Sequence, residues 1–187
     1  MNKLIILFFT ILSSAAFAQK DSPNISYSMP SVEAGIRWSS ADAPAGSSAK
    51  QALGIQLGAS TVFNFAPSFG LKTGLFYVER PFLFDTSGAE SKGKITYFDI
   101  PAFFMFKFEE YAGVYFGPSL SFKLGDESTP KALSGIKGTV IPLTLGAQFK
   151  FTSTFGLNVF FETLSGDSAT GLSNNRAVGA SLMIAFD

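Results

Sequence analysis

The stretch ITYFDIPAFFMFKF, residues 95–108, alternates between an apolar and a mixed set of side chains with a period of two. The apolar set comprises Phe98, Ile100, Ala102, Phe104, Phe106 and Phe108. The other set holds both charges, Asp99 and Lys107. A strand places two such sets on opposite faces, whereas a helix spreads them around its surface. The run exceeds the usual globular strand of about five or six residues and approaches the ~9–11 residues that a tilted strand needs to cross a bilayer. It therefore predicts a membrane-spanning β-strand.

The first 18 residues have the layout of a secretory signal peptide. Lys3 precedes an apolar run over residues 4–12, and small residues end in Ala16-Phe17-Ala18. This order of basic, apolar and small residues is typical of a cleaved signal. The sequence thus predicts a signal peptide at residues 1–18, a flexible periplasmic segment at 19–31 and a barrel domain at 32–186.

Composition excludes several functional classes. The chain has 14 Lys and Arg against 14 Asp and Glu, so no basic field favours nucleic acid as a partner. It contains no cysteine and no histidine, which removes disulfides and the common nucleophilic and general-base chemistries. Asp126 and Glu127 supply too few oxygens for the roughly six to eight ligands of calcium. We therefore expect a protein that is not an enzyme and needs no cofactor or metal.

Seven further segments repeat the period-two pattern, and the connections between the segments alternate in length. The predicted strands are residues 32–38, 52–65, 69–80, 95–108, 114–124, 139–151, 157–164 and 177–186. Short turns lie at 66–68, 109–111 and 152–154, and long polar loops at 39–50, 81–94, 125–137 and 165–176. Outer-membrane barrels place short turns in the periplasm and long loops outside. The pattern predicts an all-β fold, an eight-stranded antiparallel up-and-down transmembrane β-barrel with four extracellular loops.

Periodicity alone does not decide which face of the barrel points inward. A soluble eight-stranded barrel of the lipocalin type would turn its apolar face to the interior. Long strands, strict alternation of connections and a glycine-rich polar face favour lipid outside. This interpretation places Leu57, Phe104, Leu145 and Leu182 in lipid and Gln56 in the lumen. Aromatic residues near the strand ends opposite the short turns would form an outer girdle: Trp38, Tyr77, Phe98 and Phe122.

Two short motifs carry a family resemblance. Tyr97-Phe98-Asp99-Ile100-Pro101 resembles the aromatic-x-acidic-Ile-Pro signature of PorT-like small outer-membrane β-barrel proteins. Gly171-Leu172-Ser173-Asn174 is similar to the element that precedes their last strand, and Phe186 fits their closing aromatic residue. The resemblance implies an eight-stranded barrel of the OmpA/OmpX type that the barrel-assembly machinery inserts into the outer membrane of a Gram-negative bacterium. A few relatives resemble components of secretion systems.

Charged residues of the inward-facing set are predicted to pair within the lumen. Strand direction places one group in the periplasmic half and a second group in the outer half, namely Glu33, Lys72 and Lys107, then Arg37, Asp99 and Glu162. Both groups contain both signs, and an unpaired charge in a narrow barrel is costly. We expect an Arg37-centred cluster with Asp99, Glu162 or both to close the outer end.

Two functions remain open on the sequence. The first is a structural or interaction protein embedded in outer-membrane lipid, whose loops meet an extracellular or secretion-system partner. The second is a narrow permeation module for small solutes. A filled, ion-paired interior favours the first, and a continuous water path would favour the second.

Overall fold

The structure, a computed structural model, describes residues 27–43, 45–109, 111–130 and 133–186. These residues form strands and no helix, and so none could span a membrane as an apolar helix. The strands are β1 (Tyr27–Asp42), β2 (Ser48–Lys50), β3 (Ala52–Ala66), β4 (Phe69–Thr86), β5 (Ala89–Glu109), β6 (Ala112–Thr129), β7 (Thr139–Val140), β8 (Leu143–Lys150), β9 (Phe155–Ala169) and β10 (Leu172–Ala185). The predicted signal peptide lies outside the described residues. Residues 19–26 of the predicted flexible segment also lie outside the described residues, and residues 27–31 belong to β1 instead.

Eight strand positions close into an antiparallel ring. Around it, hydrogen-bonded neighbours follow the order β1, β3, β4, β5, β6, β8, β9, β10 and back to β1. β7 continues β8 across Ile141-Pro142, since both pair with β6, and the Ser119 N–H still donates to the Pro142 carbonyl at 2.9 Å. β2 is a short segment paired to the outer part of β4. The predicted eight-stranded up-and-down barrel is confirmed.

The apolar face points outward. Leu182 is 64% exposed, whereas the inward-facing Arg37 is 1% exposed. Leu57, Phe104 and Leu145 are also exposed, and Gln56 lines a small internal cavity. A continuous outward row crosses six strands: Trp38, Val178, Phe161, Leu145, Phe116 and Phe104. A belt of this kind requires lipid, and the lipocalin alternative is wrong because the charges are inside.

Small and large side chains alternate across neighbouring strands on the inner wall. The Tyr115 ring lies over Gly146, and the Phe160 ring lies over Gly179, at directly paired positions. A β-carbon at either glycine would overlap the ring. Glycine on this face therefore makes room for rings in a narrow interior, as its frequency in the sequence indicates.

The barrel has two different ends. The turn end carries the short connections from β3 to β4, from β5 to β6 and from β8 to β9, and β1 starts and β10 ends there. At the opposite, hairpin end, two predicted loops are instead extended hairpins. β4 and β5 pair as far as Thr86 and Ala89. Ser87 and Gly88 both have positive φ, 52° and 88°, which is the geometry of a two-residue hairpin turn. The predicted loop at 165–176 likewise pairs up to Leu172 and Ala169.

An apolar cap fills the hairpin end. Its buried members come from six strands and comprise Ala41, Phe82, Phe84, Ile95, Tyr97, Val140, Leu164, Ala169 and Leu172. Leu133 and Ile136, from the predicted polar loop at 125–137, pack against them. Backbone bonds fasten this covering segment to the β9–β10 hairpin: Lys137 N–H to Ser168 O, and Thr170 N–H to Ser134 O, both 2.9 Å. The cap therefore closes the barrel at this end.

We expect the cost of an arginine substitution on the outer face to depend on how deep the position lies in the membrane. Leu182→Arg lies within the apolar belt and should lower the free energy of unfolding by about 2–4 kcal/mol. Leu124→Arg is the matched control, because Leu124 is 59% exposed but lies beyond Phe122 toward the hairpin end. It should cost only ~0–1 kcal/mol. Reversible denaturant unfolding in lipid vesicles measures both, and equal costs would contradict the assigned belt.

Candidate functional site

Four charged side chains meet in the lumen beneath the cap, and we call Arg37, Arg80, Asp99 and Glu162 the upper cluster. Arg37 Nη2 donates to Glu162 Oε1 at 2.5 Å. Arg80 donates to the same carboxylate through Nε at 2.9 Å and Nη2 at 3.2 Å. All four side chains are less than a tenth exposed. Two cations and two anions make the cluster neutral, which is the condition under which buried charges persist.

Arg80 joins the two carboxylates and was missed by the sequence analysis. Its Nη2 donates to Asp99 Oδ2 at 2.7 Å, and its guanidinium carbon lies 4.9 Å from the Tyr97 ring centre. The pairing of Arg37 with Glu162 agrees with the expected cluster, whereas Asp99 is held by Arg80 and not by Arg37. The reason is adjacency, since β4 and β5 are neighbouring strands. The signal was available: Arg80 has the same parity as the inward-facing Lys72, but the prediction ended the strand there and left it out.

A second group, the lower cluster, lies nearer the turn end around Lys72 and Glu33. Lys72 Nζ is 2.9 Å from Glu33 Oε1, and it donates at 3.1 Å to both Gln148 Oε1 and Asn158 Oδ1. The other Glu33 oxygen accepts from Asn158 Nδ2 at 2.7 Å. The Tyr115 ring covers Lys72 at 4.8 Å. Each buried charge therefore has an opposite charge and neutral hydrogen-bond partners, which offset its desolvation.

Lys107 does not join the lower cluster as the sequence analysis grouped it. Its Nζ donates to Asn64 Oδ1 at 2.6 Å, and it lines a cavity at the turn end together with Lys150. We call this cavity the vestibule. Its volume is about 400 Å³. The lumen charges are thus distributed over three levels, two neutral clusters and a lysine-lined opening.

The two acidic residues considered as calcium ligands each lie close to a lysine. Asp126 Oδ1 lies 2.6 Å from Lys123 Nζ, and Glu127 Oε2 lies 3.8 Å from Lys94 Nζ. Across the part of the chain that the structure describes, no group of three or more acidic side chains gathers in a metal-binding arrangement. The arrangement of lumen side chains is suited to filling and stabilising a barrel.

Comparison with known proteins identifies the family. Residues 17–176 match the outer membrane protein beta-barrel domain. The chain belongs to this outer-membrane β-barrel family. The finer PorT-like resemblance stays a prediction, and no curated protein matches the sequence.

Several solved structures of outer-membrane proteins align with this chain. Neisserial surface protein A (NspA) aligns with a TM-score of 0.55 at 16% identity, over 86% of this chain and 99% of that one. Ail, the attachment invasion locus protein of Yersinia pestis, aligns at 0.48 and 18% identity, over 84% and 99% of the two chains. OprG from Pseudomonas aeruginosa aligns at 0.43 and 12%, over 84% and 94%. The likeness to NspA supports the barrel fold of this family member.

Removal of Arg80 should leave the buried Asp99 without its cation and leave Glu162 paired with Arg37 alone. We expect Arg80→Ala to lower the free energy of unfolding by about 3–5 kcal/mol, the usual cost of leaving one side of a buried ion pair. Arg176→Ala is the control, because Arg176 and Asp42 form an exposed pair at 3.7 Å, which should contribute ~1 kcal/mol or less. Adding Asp99→Asn to Arg80→Ala should recover part of the loss. Equal effects of Arg80→Ala and Arg176→Ala would show that the lumen is well hydrated.

Proposed function

We propose that this outer-membrane barrel is a non-enzymatic structural or interaction protein that acts through its hairpin end and does not conduct solutes. In this proposal the signal peptide is removed after secretion, and the barrel-assembly machinery inserts the chain into the lipid of the Gram-negative outer membrane. The observation that carries it is the apolar cap above the neutral upper cluster. A pore would need a continuous wet path, and the cap and cluster occupy the narrow interior where that path would run.

The exterior of the hairpin end offers a surface to a partner outside the cell. Lys50 Nζ lies between Asp85 Oδ2 at 2.9 Å and Glu90 Oε1 at 3.1 Å on the β2–β4–β5 face. The Lys50 hydrogen bond, followed by that of the Gly88 N–H, lowers the pKa of Asp85, so the carboxylate stays charged in mild acid. This surface carries both signs at neutral pH, as polar rims of protein interfaces do. It supports an extracellular or secretion-system macromolecule as the partner.

Conductance separates this function from the permeation alternative. Purified protein in a planar lipid bilayer should show no discrete current steps. A variant that opens the cap, Phe82→Ala with Phe84→Ala, should admit water down to the upper cluster but remain blocked by it. Adding Arg80→Ala and Glu162→Ala should then produce measurable current. Regular current steps from the unaltered protein would refute the proposal and establish the narrow channel.

Topology has its own test, because the chain lacks cysteine. Ser87→Cys, at the tip of the β4–β5 hairpin, should react with a membrane-impermeant maleimide on intact cells. Ser153→Cys, an equally exposed serine in a turn at the opposite end, should react only after the outer membrane is permeabilised. The reverse labelling pattern would show that the hairpin end faces the periplasm.

A further inference from the structure

The vestibule differs from the rest of the lumen because it is open and contains a cleft of ligand size. Its volume of about 400 Å³ lies within the ~300–1,000 Å³ typical of small-molecule sites. Val62 and Met105, both buried, belong to an apolar cluster with Phe103 and Tyr115 and line the cavity. Phe108 and Tyr111, both exposed, also line it. The apolar cap closes the opposite end of the barrel, so exchange with this cavity runs through the turn end.

The vestibule also differs from the rest of the lumen in charge, because its lysines are not paired as the other lumen cations are. Arg37, Lys72 and Arg80 are each within 3 Å of a carboxylate oxygen. Lys107 and Lys150 also face the lumen and are half-buried, yet neither forms an ion pair with any carboxylate that the structure describes. Two partly desolvated ammonium groups in one cavity repel each other and attract an anion.

The neutral polar groups complete a binding arrangement. Asn64 and Gln148 line the same cavity, and each carries an amide NH2, a group that can donate to an oxyanion. Gln148 also accepts from Lys72 at 3.1 Å, which connects the vestibule to the lower cluster and fixes the Gln148 side chain. Cations, amides and apolar walls therefore converge on one space.

We propose that the vestibule binds a small organic anion, with a carboxylate or phosphate group between Lys107 and Lys150 and an apolar body against Phe108 and Tyr111. The ligand would enter from the periplasmic side. This site is independent of the extracellular function proposed above, because the neutral clusters and the cap separate the two ends. An anion there neutralises the two lysines, as carboxylates do for the other lumen cations.

Phenyl phosphate is a suitable probe because it combines a dianionic head with one ring. Titration into the ¹⁵N-labelled protein in lipid nanodiscs should give saturable shifts of backbone amides in residues 105–113 and 148–150. Lys107→Gln with Lys150→Gln should weaken binding by at least about tenfold, since charge-assisted hydrogen bonds are lost. Lys123→Gln is the control, because Lys123 lies toward the hairpin end and already pairs with Asp126. It should leave binding unchanged.

Further ligands and variants make each outcome decisive. Phenol, which lacks the anionic group, should cause no saturable shift, and inorganic phosphate, which lacks the ring, should bind more weakly than phenyl phosphate. If the double glutamine variant fails to fold, Lys107→Arg with Lys150→Arg should fold and retain binding. Absence of saturation in the unaltered protein, or equal binding of phenol and phenyl phosphate, would overturn the site. Equal binding of the two phosphates would overturn the role of the apolar wall.

Discussion

Closure of the backbone hydrogen-bond ring is the constraint on which the rest of this structure depends. In lipid, an unpaired N–H or C=O group costs several kcal/mol, so a sheet can span only if it has no edge. The pairing of β1 with both β3 and β10 removes the edge. Once the ring is closed, alternation along each strand assigns every side chain to lipid or lumen. All charges of the spanning region must then share a narrow interior.

That shared interior explains the unequal ends. Eight strands leave space for side chains and little for water, so charges must be neutralised locally. In the upper cluster Arg80 neutralises both Asp99 and Glu162, because a planar guanidinium can engage two carboxylates at once. Above it, the extended hairpins bury Phe82 and Phe84 in the cap. Below the lower cluster the turns are too short to fold over the opening, and the vestibule remains.

The barrel, its faces and its closing pattern could be predicted from sequence because a period of two is local information. The registers could not be predicted. Arg80 and Glu162 are 82 residues apart, and only the ring brings them together. The β4–β5 hairpin was mistaken for a loop because residues 85–94 are polar, although Ser87-Gly88 is a recognised turn pair. Strands that rise beyond the membrane lose the apolar outer face on which the prediction relied.

Sealing of the lumen from the hairpin side can be measured directly at Ser121. Ser121 is fully buried, and its Oγ accepts from Arg80 Nη2 at 3.5 Å in the upper cluster. The measurement is the reaction of Ser121→Cys with a small cationic methanethiosulfonate added to the hairpin side of reconstituted vesicles, with exposed Ser48→Cys as the reference. We expect Ser48→Cys to react at once and Ser121→Cys to react only after unfolding. Rapid modification of Ser121→Cys in the folded barrel would contradict the account.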